Sequence, residues 1–240
     1  QTLNDIGSEE LIKKFANDLG AGIYTYELDS QFRCNGSDGY LAWLDNALEI
    51  RKTANFDIDG FDYDFKVFDD PNEMRKAIED KNKVNNKSRL VAGYCWNWPT
   101  GNTRNDTNFH EITIPEHNFE ISWNLDGGEA FAIGENSINE VGCIYTVQGL
   151  EFDYVGVIIG DDIRYEHGHI LTDYTKRAKT DTSLNGIKKL ANEQGQDKAN
   201  IIADAIIKNT YRTLMTRGMK GCYIYCTDSQ LSAYFKELCK

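Results

Sequence analysis

Apolar residues in this chain follow two spacings, and the switch between them predicts alternating helices and strands. Leu11, Ile12, Phe15 and Leu19 recur at helical spacing behind Ser8, a suitable N-cap, with Glu9 and Glu10 in the first turn. Gly20 and Gly22 end that element, and residues 23–28 have the β-branched and aromatic content of a strand. Tyr40, Leu41, Leu44 and Leu48 stripe a helix over 37–48. Residues 63–68 predict a strand. Pro71 opens a helix to about residue 85, since proline fits the first turn. Residues 89–96 predict a buried strand. Residues 143–147 and 154–159 predict two more, on either side of a polar turn. Residues 185–217 are helical in pattern, 222–226 predict the last strand and 229–238 the last helix.

Strands alternating with helices imply an α/β fold, a largely parallel sheet covered on both faces. Two stretches interrupt the alternation. Residues 99–136 carry Gly, Asn and Thr clusters with short alternating runs, predicting a β-rich insertion of hairpins and loops. Residues 164–184 are polar and predict a long irregular excursion. Ligands in such folds gather at the carboxyl ends of the strands.

The length of 240 residues suits one large domain or two small ones. No apolar run is long enough to span a membrane. Residues 1–18 are polar and mixed, so no signal peptide is expected, and a cytoplasmic location follows. The absence of an initiator methionine points to a fragment or a processed chain. Six cysteines lie apart with no CxxC pair, which favours buried thiols over a disulfide framework or a zinc site. His167 and His169 have no cysteine or paired acid at ligand spacing, so no metal site is expected. The net charge of −12 argues against a broad nucleic-acid surface and leaves room for a narrow basic track.

The chemistry concentrates in three short runs. Residues 148–153 read Gln-Gly-Leu-Glu-Phe-Asp, placing Glu151 and Asp153 between two buried stretches. Buried carboxylates are costly unless paired, so this turn opens onto a surface or cleft, unless it is a plain strand-turn-strand core element. The run resembles motif V of superfamily-1 helicases, which links the nucleotide site to the nucleic-acid track. Residues 30–34, Ser-Gln-Phe-Arg-Cys, resemble motif IV of the same helicases. There the arginine, here Arg33, reaches the γ-phosphate of ATP; its planar fork suits phosphate, although a surface salt bridge is the plain alternative. Residues 211–218, Tyr-Arg-Thr-Leu-Met-Thr-Arg-Gly, resemble motif VI, commonly Y-V-A-L-T-R-A. Arg217 would then be the arginine finger, with Gly218 in place of the small alanine. A helix end that favours arginine through its dipole is the alternative, and fits Arg212 and Lys220 better.

The three motifs occur in family order and span most of the chain. The spelling is closer still to a bacterial group of uncharacterised proteins allied to Schlafen-type helicase domains. That resemblance implies a three-layer RecA-like (P-loop NTPase type) fold and places residues 1–240 in one second RecA-like domain. It implies that Gly149 and Glu151 meet the nucleotide, with Glu151 on the ribose, and that Gln1 is the remnant of motif III. Tyr145, where the family often has histidine, Gln148 and Trp96 would face DNA or RNA, the tryptophan by stacking. No Gly-Lys pair occurs, so the Walker A loop is absent. ATP and Mg2+ are therefore expected only in a full-length parent whose first RecA-like domain supplies that loop. The alternative is a non-enzymatic binding module that kept the fold and lost motor action.

Overall fold

A computed structural model describes residues 9–26, 34, 38–55, 58, 62–98, 109–125 and 130–240. Seven strands form one sheet: β1 (Asp64–Phe68), β2 (Ser88–Ala92), β3 (Ile112–Ile114), β4 (Phe119–Trp123), β5 (Glu140–Gly142), β6 (Phe152–Ile159) and β9 (Gly218–Cys226). Their order is β1-β9-β6-β2-β5-β4-β3, and every pairing is parallel except β3 with β4. Strands β7 (Ile163–Glu166) and β8 (His169–Thr172) form a separate antiparallel hairpin.

Alternation along the central strands builds two cores. Val91, Val155, Val157, Ile159, Cys222 and Ile224 face α2 (Asp38–Ala47), α5 (Gln196–Met215) and α6 (Ser229–Glu237). Leu90, Ala92, Ile158, Tyr223 and Tyr225 face α3 (Pro71–Asn85), which contributes Met74 and Ile78. Strands buried on both faces read as continuous apolar runs, which is why they were legible. The result is the mostly parallel, three-layer α/β arrangement the motifs implied. Helix α3 has its expected limits: Asp70 caps it by accepting from the Asn72 amide, and Asn86 ends it in the left-handed conformation. Helix α4 (Ile187–Gln194) packs on α5 through a small cluster of its own.

Four expectations need correction. Residues 21–26 are not in a strand, and Tyr24 and Tyr26 are exposed; 27–28 lie outside the described residues. Residues 143–147 are not a strand either: β5 stops at Gly142 and a turn follows. The first part of the 164–184 stretch is not irregular: it forms the β7–β8 hairpin, whose His167 and Gly168 both have positive φ, 53° and 83°, while residues 177–184 are turns and irregular backbone. Two consecutive left-handed residues are the mark of a tight hairpin turn that matches strand twist. Helix α1 (Glu9–Asp18) forms, but Ile12, Phe15 and Leu19 on its apolar stripe are exposed. The stretch read as a β-rich insertion supplies β3 and β4, which extend the main sheet at one edge.

Candidate functional site

The turn between β5 and β6 crosses the sheet from one end to the other. It leaves β5 at its carboxyl end and enters β6 at its amino end, where Phe152 pairs with Gly218, the first residue of β9. Val147 is buried and pins the turn, and the Val147 amide donates to the Cys143 carbonyl at 3.1 Å. Around this anchor Tyr145, Gln148, Gly149 and Glu151 are exposed. Gly149 has φ 81°, and a Cβ there would meet nothing within 4 Å, so backbone conformation rather than space calls for glycine.

The floor of the turn is Phe131. A Cβ on Gly142 would come within 2.7 Å of its ring, and the ring meets Phe152 edge-on. Arg89, fully buried on β2, holds Phe131 in place. Its guanidinium donates to the carbonyls of Phe131 (2.6 Å), Ser88 (2.8 Å), Ala132 (3.0 Å) and Gly134 (3.2 Å), and to Asn82 Oδ1 (2.9 Å). This residue was missed in the sequence. The available signal was a lone arginine in an apolar strand, which must be satisfied if buried.

At the amino ends of β6 and β9 the turn meets the end of α5. Arg217 Nη1 donates to the Leu150 carbonyl at 3.1 Å, Nε donates to the Thr213 carbonyl at 3.1 Å, and the Phe152 amide donates to the Arg217 carbonyl at 2.8 Å. Residues 148–153 and 211–218 are thus in direct contact. Cys34 joins them, its thiol 3.8 Å from the Thr216 carbonyl. Arg33 and Gln1 themselves lie outside the described residues. Two expectations are revised. The meeting point is at the amino ends of the strands, not the carboxyl ends. Arg217 does not stand out into an open edge: it is 5% exposed.

Helix α2 locks onto the same junction. Tyr40 donates to the Met215 carbonyl at 3.0 Å, and buried Asp45 pairs with Arg212 and with Arg51 (2.7 Å). Arg212 is therefore an ion-pair partner of α2. Lys220 pairs with Asp153 at 2.8 Å, and Asn85 also donates to that carboxylate. Burial raises the Asp153 pKa, but the bonds from Lys220 and Asn85 outweigh it and hold the carboxyl below the ordinary range.

The other end of the turn lies toward the carboxyl ends. The Tyr145 hydroxyl approaches Asp181 (3.4 Å) and Thr182 (3.3 Å), and its ring meets Tyr94 edge-on. Asp181 belongs to a buried charge cluster: Arg177 donates to Asp181 at 2.5 Å and to Asp162 at 2.9 Å, and Tyr211 of α5 donates to Asp162. Gly93 makes room for Tyr211, whose hydroxyl oxygen would lie 2.0 Å from a Cβ there. Trp96 is half-buried, with its indole N–H on the Thr113 carbonyl at 3.3 Å, apart from the turn. Trp98, Tyr94 and Trp123 instead form a near-parallel set, with centroids 5.8 to 6.2 Å apart. Among the described residues no group of three or more His, Cys, Asp or Glu side chains is gathered as a metal site, and no helix is long and apolar enough to cross a membrane.

A family model described as "Schlafen group 3, DNA/RNA helicase domain" matches residues 1–228. The uncharacterized protein YPL245W of Saccharomyces cerevisiae is 28% identical over 221 residues, which are 86% of this chain and 46% of that protein. The chain thus spans about half the length of this curated relative. A crystal structure described as the C-terminal domain of a possible DNA helicase from Lactobacillus plantarum WCFS1 is 13% identical, with TM-score 0.30, over 82% of this chain and 91% of that one.

Proposed function

We propose, since this chain belongs to the family of Schlafen group 3 DNA/RNA helicase domains, that it is the second RecA-like half of a nucleic-acid-dependent ATPase of the superfamily-1 type. ATP with Mg2+ would sit between it and a first domain that brings the phosphate loop. Arg33 and Arg217 would stabilise charge on the transferring phosphoryl group. Gly149 and Glu151 would face the nucleotide, the carboxylate accepting from the ribose hydroxyls. Tyr145, Gln148 and Trp96 would lie on the DNA or RNA side. Hydrolysis would change the angle between the domains and advance the strand.

The observation that carries this reading is the convergence of the three motif segments. Cys34 touches Thr216, and Leu150 and Phe152 bracket Arg217, although the segments are far apart in the chain. The pairing of β6 with β9 by itself brings residues 148–153 and 211–218 together, so the contact of Cys34 with Thr216 is the part of the convergence that the sheet does not require. One observation favours the binding-module alternative: the Arg217 guanidinium is turned inward onto backbone carbonyls. In the ATPase reading it must swing out when nucleotide binds.

The test uses the longer protein. Arg217→Ala should lower kcat by roughly 10³-fold, as loss of an arginine finger does. Arg217→Lys should rescue poorly because the planar fork is gone. Wild-type turnover in Arg217→Ala would remove the motif VI assignment. The 240-residue chain alone, lacking Gly-Lys, should hydrolyse nothing above background with or without DNA. A parent gene with neither Walker A nor Walker B upstream would leave the binding module as the reading.

A further inference from the structure

The junction from α5 to β9 is held by its carbonyl oxygens. The Met215 carbonyl accepts from Tyr40 at 3.0 Å, and the Thr216 carbonyl faces the Cys34 thiol at 3.8 Å. The Arg217 carbonyl accepts from the Phe152 amide at 2.8 Å, and the Gly218 carbonyl accepts from Tyr63 at 2.9 Å. Tyr63 also lies 3.5 Å from the Met215 carbonyl, but one hydroxyl proton serves one acceptor well, and Gly218 is the nearer. So four consecutive carbonyls around Arg217 are claimed by four groups from four parts of the chain. Helix ends leave carbonyls without partners, but water would serve at an ordinary end. Here two tyrosines are spent on the task, with rings stacked at 3.8 Å and both buried. Burial pushes both phenols well above their ordinary range, so they remain donors.

The strand that follows is irregular in the same place. Phe152 pairs with Gly218 and Tyr154 with Gly221, so β9 carries an extra residue against β6. A bulge of this kind bends the strand and re-aims a neighbouring side chain. The Gly218 carbonyl held by Tyr63 belongs to its first residue.

Resting on the function proposed above, we infer that Tyr63 and Tyr40 are positioning residues for Arg217. They fix the backbone on both sides of it, so that moving the guanidinium from the Leu150 and Thr213 carbonyls to phosphate oxygens leaves that backbone in place. Neither tyrosine need touch the nucleotide.

The test replaces each by phenylalanine, which keeps the ring and removes the hydroxyl. In nitrogen-15 NMR of the 240-residue chain, the Arg217 Nε–H, held by the Thr213 carbonyl, should exchange with solvent roughly tenfold faster in Tyr63→Phe and in Tyr40→Phe. Tyr234→Phe is the control. It removes a bond of the same kind, to the Ala47 carbonyl at 3.0 Å, and should leave the Arg217 signal unchanged. Two separate variants guard against one failing to fold. If both lower Tm as the control does and leave Arg217 exchange unchanged, the tyrosines are merely structural and the inference fails. In the longer protein, Tyr63→Phe should lower kcat roughly tenfold with KM for ATP unchanged, since a misplaced group costs turnover more than binding. A wild-type longer protein with no ATPase activity would defeat the proposed function, while the exchange result would still decide whether the tyrosines position Arg217.

Discussion

The Cys34 thiol and the Thr216 carbonyl oxygen lie 3.8 Å apart, although 182 residues separate them in the chain. Each is next in sequence to an arginine proposed above to act on the same phosphoryl group, Arg33 before Cys34 and Arg217 after Thr216. Two arginines that act on one developing charge do not act independently. In the longer protein, Arg33→Ala and Arg217→Ala should each lower kcat, and the double variant should fall well short of the product of the two. A fully multiplicative loss in steady-state kinetics would place the arginines in separate tasks.

Gly149 and Gly218 should respond differently to alanine. A Cβ on Gly218 would sit 2.1 Å from the Gly221 carbonyl oxygen, a clash with backbone that no rotamer relieves. The simple exchange of glycine for alanine assumed from motif VI is therefore not free here. Gly218→Ala should cost about 1–3 kcal/mol, the usual range for forced overpacking. Gly149→Ala has open space and only its positive φ to contend with, so it should cost about 1 kcal/mol. Urea unfolding of both variants decides the order, and equal midpoints would contradict it.

Arg177 should be among the least replaceable residues. Its side chain and those of Asp162 and Asp181 are almost wholly buried. Removing one member of a buried ion cluster leaves the others uncompensated, at about 3–5 kcal/mol. Arg177→Met should therefore unfold at markedly lower urea than wild type. A midpoint within error of wild type would mean that water reaches the two carboxylates.

Stability should fall at high pH. Burial pushes the phenols of Tyr94, Tyr225 and Tyr234 up to about 12 in the fold, whereas an unfolded tyrosine ionises near about 10. The unfolded chain therefore releases these protons first. Their contribution is fully present below about pH 10 and is lost as pH rises toward about 12. Tm should hold steady to about pH 9.5 and then fall, with tyrosinate absorbance rising at the same transition. A flat Tm through about pH 12 would show that these rings reach solvent in the fold.

What was legible follows from where the physics is local. Helix α3 could be bounded from Pro71 and the left-handed Asn86 position, and the central strands from apolar runs buried on both faces. The turn after Gly142 was misread because Ile144 and Val147 look like strand residues, while their conformation is set by Phe131 and Arg89 from elsewhere in the chain. The β7–β8 hairpin did carry a local signal. His167-Gly168 fits a tight left-handed turn, but the pair of histidines drew attention to metals instead. The motif spellings brought Glu151 and Arg217 to one side of the sheet, yet nothing local could say that Arg217 turns inward or that Tyr40 and Tyr63 hold its backbone. Those are contacts across 175 and 155 residues, made by side chains that the pattern could only count as apolar.

The extra residue in β9 restricts which side chains this strand entrance accepts. An alanine after the arginine is incompatible with this bulge, since the carbonyl of Gly221 occupies its methyl position. Gly221 is confined in turn by the Asp64 carbonyl, 2.4 Å from where its own Cβ would lie. In this chain the backbone thus demands glycine twice, directly after Thr216-Arg217 and again three residues later.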